Sequence, residues 1–120
     1  MHEHEKINYL EYPSNDLAAT QLFFERAFSW SFTPYGNDYI AFDDQGLEGG
    51  FFRSDLLSRT ETGAALSVFY SQDLEATYAK VLKCGGHIVQ EIFDFPGGRR
   101  FHFFEPGGSE FAVWGLPLDI

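Results

Sequence analysis

The sequence predicts an α+β protein made of two βαβββ modules, and three observations carry that prediction. Asp16-Leu17-Ala18-Ala19-Thr20 returns as Asp73-Leu74-Glu75-Ala76-Thr77, four matches in five at an offset of 57 residues. Twice that offset nearly fills the 120-residue chain, as a duplicated unit would. Around each copy the apolar pattern passes in the same order from a short β-prone run to a helical period, then to three more β-prone runs.

The first module is expected over residues 6–54. It opens with the run Ile7 to Tyr12, which Pro13-Ser14-Asn15 should end while offering helix N-caps. A helix follows from Asp16 to about Ser29, with Ala19, Phe23 and Ala27 on one face and Phe24 and Phe28 widening the stripe. Three strands, Ser31–Tyr35, Asp38–Phe42 and Leu47–Arg53, are separated by Gly36-Asn37 and Asp43-Asp44-Gln45-Gly46, residues that tolerate turn conformations.

A polar linker over residues 55–63 leads to the second module, 64–117. Leu66 to Tyr70 reads as a strand and Ser71-Gln72 as its stop. The helix Asp73 to Cys84 should bury Leu74, Tyr78, Val81 and Leu82, with Gly85-Gly86 supplying a left-handed cap. The strands His87–Phe95, Arg100–Phe104 and Glu110–Trp114 follow, joined by Pro96-Gly97-Gly98 and Pro106-Gly107-Gly108-Ser109. Neither half can cover both faces of its own sheet, so the chain is expected to form one domain, 1–120, in which the sheets pair around a concave cup with helices outside.

Composition narrows the partners. With 44% hydrophobic residues and 14 Phe, there is ample material for a core. The formal charge of −10 repels nucleic acid and anionic membranes, so neither is expected as a partner. Cys84 is the lone cysteine, and the first residues lack the apolar run of a secretory leader, which makes the cytoplasm the expected compartment. No stretch approaches the roughly 18 apolar residues of a membrane span.

Several stretches carry a more specific likeness: Ile7-Asn8-Tyr9-Leu10-Glu11 before Asn15-Asp16-Leu17, then Leu22-Phe23-Phe24-Glu25-Arg26-Ala27-Phe28-Ser29-Trp30, then Phe103-Phe104-Glu105-Pro106-Gly107-Gly108-Ser109-Glu110-Phe111. Together they resemble the vicinal oxygen chelate superfamily of glyoxalase I, extradiol dioxygenases and the bleomycin- and fosfomycin-resistance proteins. Most similar are its predicted lactoylglutathione-lyase-related enzymes, which share a Phe-Gly-Trp-like helix end, here Phe28-Ser29-Trp30. The resemblance implies a small-molecule ligand, a homodimer and, in metal-dependent members, a divalent ion held by a His of the first strand, a His or Gln opening the second module and a Glu of the last strand. Those positions read Tyr9, Leu66 and Ala112 here, and the repeat offset maps Tyr9 onto Leu66. An isobutyl and a methyl group donate no electrons and a neutral phenol is a poor ligand, so no metal cofactor is expected.

Alternation along strands places Tyr9 with Glu11, Arg100 with His102 and Phe104, and Glu110 with Ala112 and Trp114. With Tyr9 and Ala112 facing the cup, Glu11 and His102 are candidate acid and base, because imidazole titrates near neutrality and burial raises a carboxyl toward it. Tyr9, Arg100, Phe104, Glu110 and Trp114 are candidate ligand contacts; Arg100 suits an anion and Trp114 a flat ring. The plainer alternative stays open, in which Glu11 pairs with Arg100 and His102 is a satisfied interior histidine. His2-Glu3-His4 lacks fixed geometry for a metal, and Gly97-Gly98-Arg99-Arg100 opens no helix, so it reads as a hairpin turn. Cys84 ends a helix, where the dipole disfavours a thiolate. Two functions fit: a metal-independent lyase or isomerase, or a sequestering protein of the bleomycin-resistance type.

Overall fold

A computed structural model describes residues 2–118, so Met1 and the last two residues of the expected 1–120 domain lie outside it. Its strands are β1 (Tyr9–Ser14), β2 (Phe32–Pro34), β3 (Tyr39–Gln45), β4 (Leu47–Arg53), β5 (Ser67–Tyr70), β6 (His87–Phe95), β7 (Gly98–Phe104) and β8 (Glu110–Gly115). Helix α1 (Leu17–Phe28) follows β1 and α2 (Leu74–Lys83) follows β5, which completes the expected βαβββ order twice. The strands divide into two four-stranded sheets ordered β1-β4-β3-β2 and β5-β8-β7-β6. In each, the first strand lies parallel to the last and the others are antiparallel.

The duplication extends to single hydrogen bonds. Asp16 and Asp73 each cap a helix by accepting from the amide three residues on, Ala19 and Ala76, at 3.1 and 3.2 Å. Ser14 and Ser71 each bond Thr20 and Thr77 through hydroxyls at 2.7 Å. All four residue pairs are related by the same offset of 57 seen in the sequence.

Two local expectations are corrected. Pro13 does not end β1, which runs on to Ser14, because β1 is an edge strand and a missing N–H is tolerated there. Leu82 is 49% exposed, although α2 buries Leu74 and Val81 and half-buries Tyr78 as expected. Its position on α2 falls outside the narrow stripe that meets β7 and β8.

Each helix covers one face of its own sheet, and these covered faces also meet one another. Phe24 of α1 packs on Phe51 of β4 at 5.4 Å and on Phe111 of β8 at 5.3 Å between ring centroids. Phe28 stacks on Phe69 at 4.5 Å, Phe23 reaches Phe103 at 5.6 Å, and Tyr12 reaches Phe111 at 5.0 Å. Every one of these rings lies on a helix-covered face. The uncovered faces of both sheets therefore look outward instead of enclosing the expected single cup with helices outside, and on the second of them Ala112, His102 and Glu110 are buried.

Candidate functional site

The expected site residues are distributed over those two open faces. On the first sheet, Tyr9 and Glu11 of β1 are joined by Tyr39 of β3, whose hydroxyl donates to Glu11 Oε2 at 2.9 Å and lies 2.6 Å from the Tyr9 hydroxyl. Gly50 makes this possible: it stands between β1 and β3, and any Cβ there would overlap the Tyr39 ring. Burial, then the bonds to Tyr9 and Glu11, push the Tyr39 hydroxyl well above its usual range, so it stays protonated and donates.

On the second sheet, His102 of β7 stands between Arg100 and Glu110. Arg100 Nε donates to His102 Nε2 at 3.1 Å, and His102 Nδ1 lies 3.2 Å from Glu110 Oε2. A guanidinium N–H only donates, so Nε2 must accept and Nδ1 must carry the proton that Glu110 accepts. The other Glu110 oxygen accepts from the Thr60 amide at 2.8 Å and the Thr60 hydroxyl at 3.0 Å. Burial alone would raise this carboxyl, but the bonds from Thr60 and His102 outweigh it and hold Glu110 below its ordinary value.

Glu11 and His102, expected to act together, thus belong to different sheets and have separate partners. The alternative pairing of Glu11 with Arg100 is also not formed, since Glu11 is held by Tyr39. Phe104 and Glu110 are engaged by the linker, which does more than tether. Arg59 lies over the Phe104 ring, 3.7 Å from its centre, while its Nε donates to the Gly108 carbonyl at 2.9 Å. Residues far apart in sequence left no pattern by which Thr60 or Arg59 would be found.

What the second face offers a ligand is a hollow of about 290 Å³ lined by Val68, Phe95, Gly97, Arg100 and Trp114. Arg100 and Trp114 are direct cross-strand partners. The Arg100 guanidinium lies 5.7 Å from the centre of Phe95 and 5.9 Å from that of Phe93, within range of the ring faces. Val68 and Phe95 were not among the expected residues; alternation from Leu66 would have reached the first. A second cleft of about 610 Å³ runs between the modules, lined by Leu10, Tyr12, Trp30, Phe42, Leu66 and Phe69 among others.

The three positions of the relatives' metal ligands do not suit an ion. Tyr9 already bonds Tyr39, Leu66 lines the apolar cleft, and Ala112 is buried between Val68 and His102. Among the described residues no cluster of three or more His, Cys, Asp or Glu is arranged to hold one. Nor is any helix long and apolar enough to cross a membrane.

The model of the Glyoxalase/Bleomycin resistance protein/Dioxygenase superfamily matches residues 6–113. The chain belongs to this superfamily. No curated protein matches this superfamily member, but many solved structures do. The genomically encoded fosfomycin resistance protein FosX from Listeria monocytogenes is 18% identical, with 97% of each chain covered and a TM-score of 0.76. A glyoxalase-related enzyme from Fulvimarina pelagi is 15% identical over 92% of this chain and 88% of its own, at 0.74. Lactoylglutathione lyase from Agrobacterium tumefaciens is 15% identical over 92% and 93%, at 0.70. The fold of this glyoxalase-superfamily chain is thereby the one its sequence resembled.

Proposed function

We propose that this chain is a small-molecule-binding protein of the sequestering type, which holds its ligand on the open face of the second sheet without the superfamily's metal ion. The observation that carries the reading is the hollow at Arg100 and Trp114, whose lining is apolar and aromatic except for the Arg100 guanidinium. Proton abstraction is less well served. The His102 lone pair at Nε2 is already taken by Arg100, and Glu11 belongs to the other sheet.

One observation favours a lyase or isomerase as a second reading. An anionic substrate that drew Arg100 away would free Nε2 of an imidazole already oriented by Glu110, which is how a general base is prepared. The open faces also expose Tyr9, Phe52, Val68 and Tyr70 by 43%, 37%, 42% and 55%, apolar surface that a second copy would bury. A homodimer in which the first face of one copy closes over the second face of the other would complete the cup, in keeping with the superfamily's habit. The cytoplasm remains the proposed compartment, since Cys84 has no partner for a disulfide.

The test pairs elemental analysis of the purified protein with amide-shift mapping of a fragment library. The expected result is substoichiometric metal and fragments that shift β7 and β8. A stoichiometric divalent ion held through β1, β5 and β8, or a library that leaves β7 and β8 unmoved, would overturn the proposal.

A further inference from the structure

We propose that the ligand is a planar aromatic carboxylate, with its acid group on Arg100 and its ring between Trp114, Phe95 and Val68; this rests on the pocket assignment above. Arg100 is the decisive group. It is half-buried on the open face, and among the described residues no carboxylate lies within ion-pair distance of it; Arg53, Arg59 and Arg99 each have one, and Arg26, which also lacks one, is exposed on α1. Its only described hydrogen bond uses Nε, toward a neutral imidazole nitrogen. The two terminal nitrogens, with four N–H groups in one plane, are left for a planar oxyanion, the geometry that guanidinium recognises best.

The surroundings select the rest of the molecule. Phe95 and Trp114 meet edge to face at 6.3 Å, and Tyr70 meets Trp114 edge to face at 5.0 Å, so the aromatic wall is held in place before a ligand arrives. A hollow of about 290 Å³ suits one or two fused rings rather than a nucleotide. Charge separates a carboxylate from a phosphate monoester. Arg100 supplies one positive charge, the ionised Glu110 stands one residue beyond it through His102, and the chain carries −10 overall. With Glu110 close by, a monoanion leaves one negative charge unbalanced and a dianion leaves two, so the monoanion is favoured.

Three probes with one ring test this by titration calorimetry and amide-shift mapping: 2-naphthoate, uncharged 2-naphthamide and dianionic 2-naphthyl phosphate. Naphthoate should bind at β7 and β8 roughly tenfold or more tightly than either, the worth of charge-assisted hydrogen bonds. Arg100→Gln should erase the preference for naphthoate over naphthamide, and Arg100→Lys should restore part of it, with circular dichroism confirming that both variants fold. The inference is overturned if naphthoate and naphthamide bind equally well, if the phosphate binds best, or if Arg100→Gln keeps the preference. In those cases binding at β7 and β8 by any of the three still upholds the pocket assignment, whereas silence from all three and from the fragment library removes both.

Discussion

Two residues show how differently a backbone strain and a buried charge enter stability. Ser29 ends α1 in the left-handed region, at φ 60° and ψ 32°, while its amide donates to Glu25 and the Trp30 amide donates to Phe24 at 3.1 Å. A side chain is strained there and glycine is not, so Ser29→Gly should stabilise the protein by about 1 kcal/mol in a denaturant titration. No gain would mean that serine's smaller unfolded-state entropy offsets the relief of strain. Glu105, 1% exposed, accepts from the Thr20 hydroxyl at 2.7 Å and from the Gly107 and Ser109 amides. Burial outweighs those bonds and raises its carboxyl above the ordinary 4.5. A group that keeps its proton more tightly when folded stabilises at acid pH, and that contribution is lost as pH rises through the raised value. Glu105→Gln removes the titration and one acceptor. It should therefore be about 1–3 kcal/mol less stable than the parent in acid, with the gap narrowing toward neutral pH. Urea midpoints measured at stepped pH check this, and a constant gap would refute it; Glu110, which titrates with the opposite sign, cancels because both proteins have it.

At the scale of elements, the paired caps give an internal control. Asp16→Ala and Asp73→Ala each remove one side-chain acceptor at a helix start and should each cost about 1 kcal/mol. Thr20 and Thr77 occupy equivalent places, but only Thr20 also reaches across the modules to Glu105. Thr20→Val should therefore cost about 1–3 kcal/mol more than Thr77→Val, and equal losses would show that the Glu105 bond contributes nothing. The same repeat explains what was legible in the sequence. Asp16, Asp73 and the turn residues act within a few positions of themselves, so local chemistry located both helices and all eight strands. Strand alternation likewise put Arg100, His102 and Trp114 on one face. What escaped was anything set by the pairing of distant segments. Pro13 is permitted inside β1 only by its place at the sheet edge, and Thr60 meets Glu110 only because the linker folds back over β8. The grouping of Glu11 with His102 failed for a related reason: alternation says which residues share a face, not which faces share a cavity.

For the whole molecule, the decisive fact is that the modules join through their helix-covered faces. The chain is correspondingly long, 49 × 35 × 28 Å, with a radius of gyration of 14.5 Å against roughly 13.6 Å for an average domain of this length. A face carrying Val68, Tyr70 and Trp114 beside an Arg100 without a carboxylate partner is incomplete in one chain, and a second copy is the neighbour always at hand. Sedimentation should accordingly give a mass near twice 13.7 kDa. Tyr70 is more than half exposed, so Tyr70→Asp should fold normally yet sediment as a single chain, because a buried carboxylate without a partner is costly at an interface. That variant should also bind the β7 and β8 ligand more weakly, both because the second copy no longer completes the cup and because Tyr70 braces Trp114 at the wall of the hollow. A parent protein that stays monomeric, or a Tyr70→Asp variant that stays dimeric, would place the completing surface elsewhere and leave the Arg100 face to work as an open hollow.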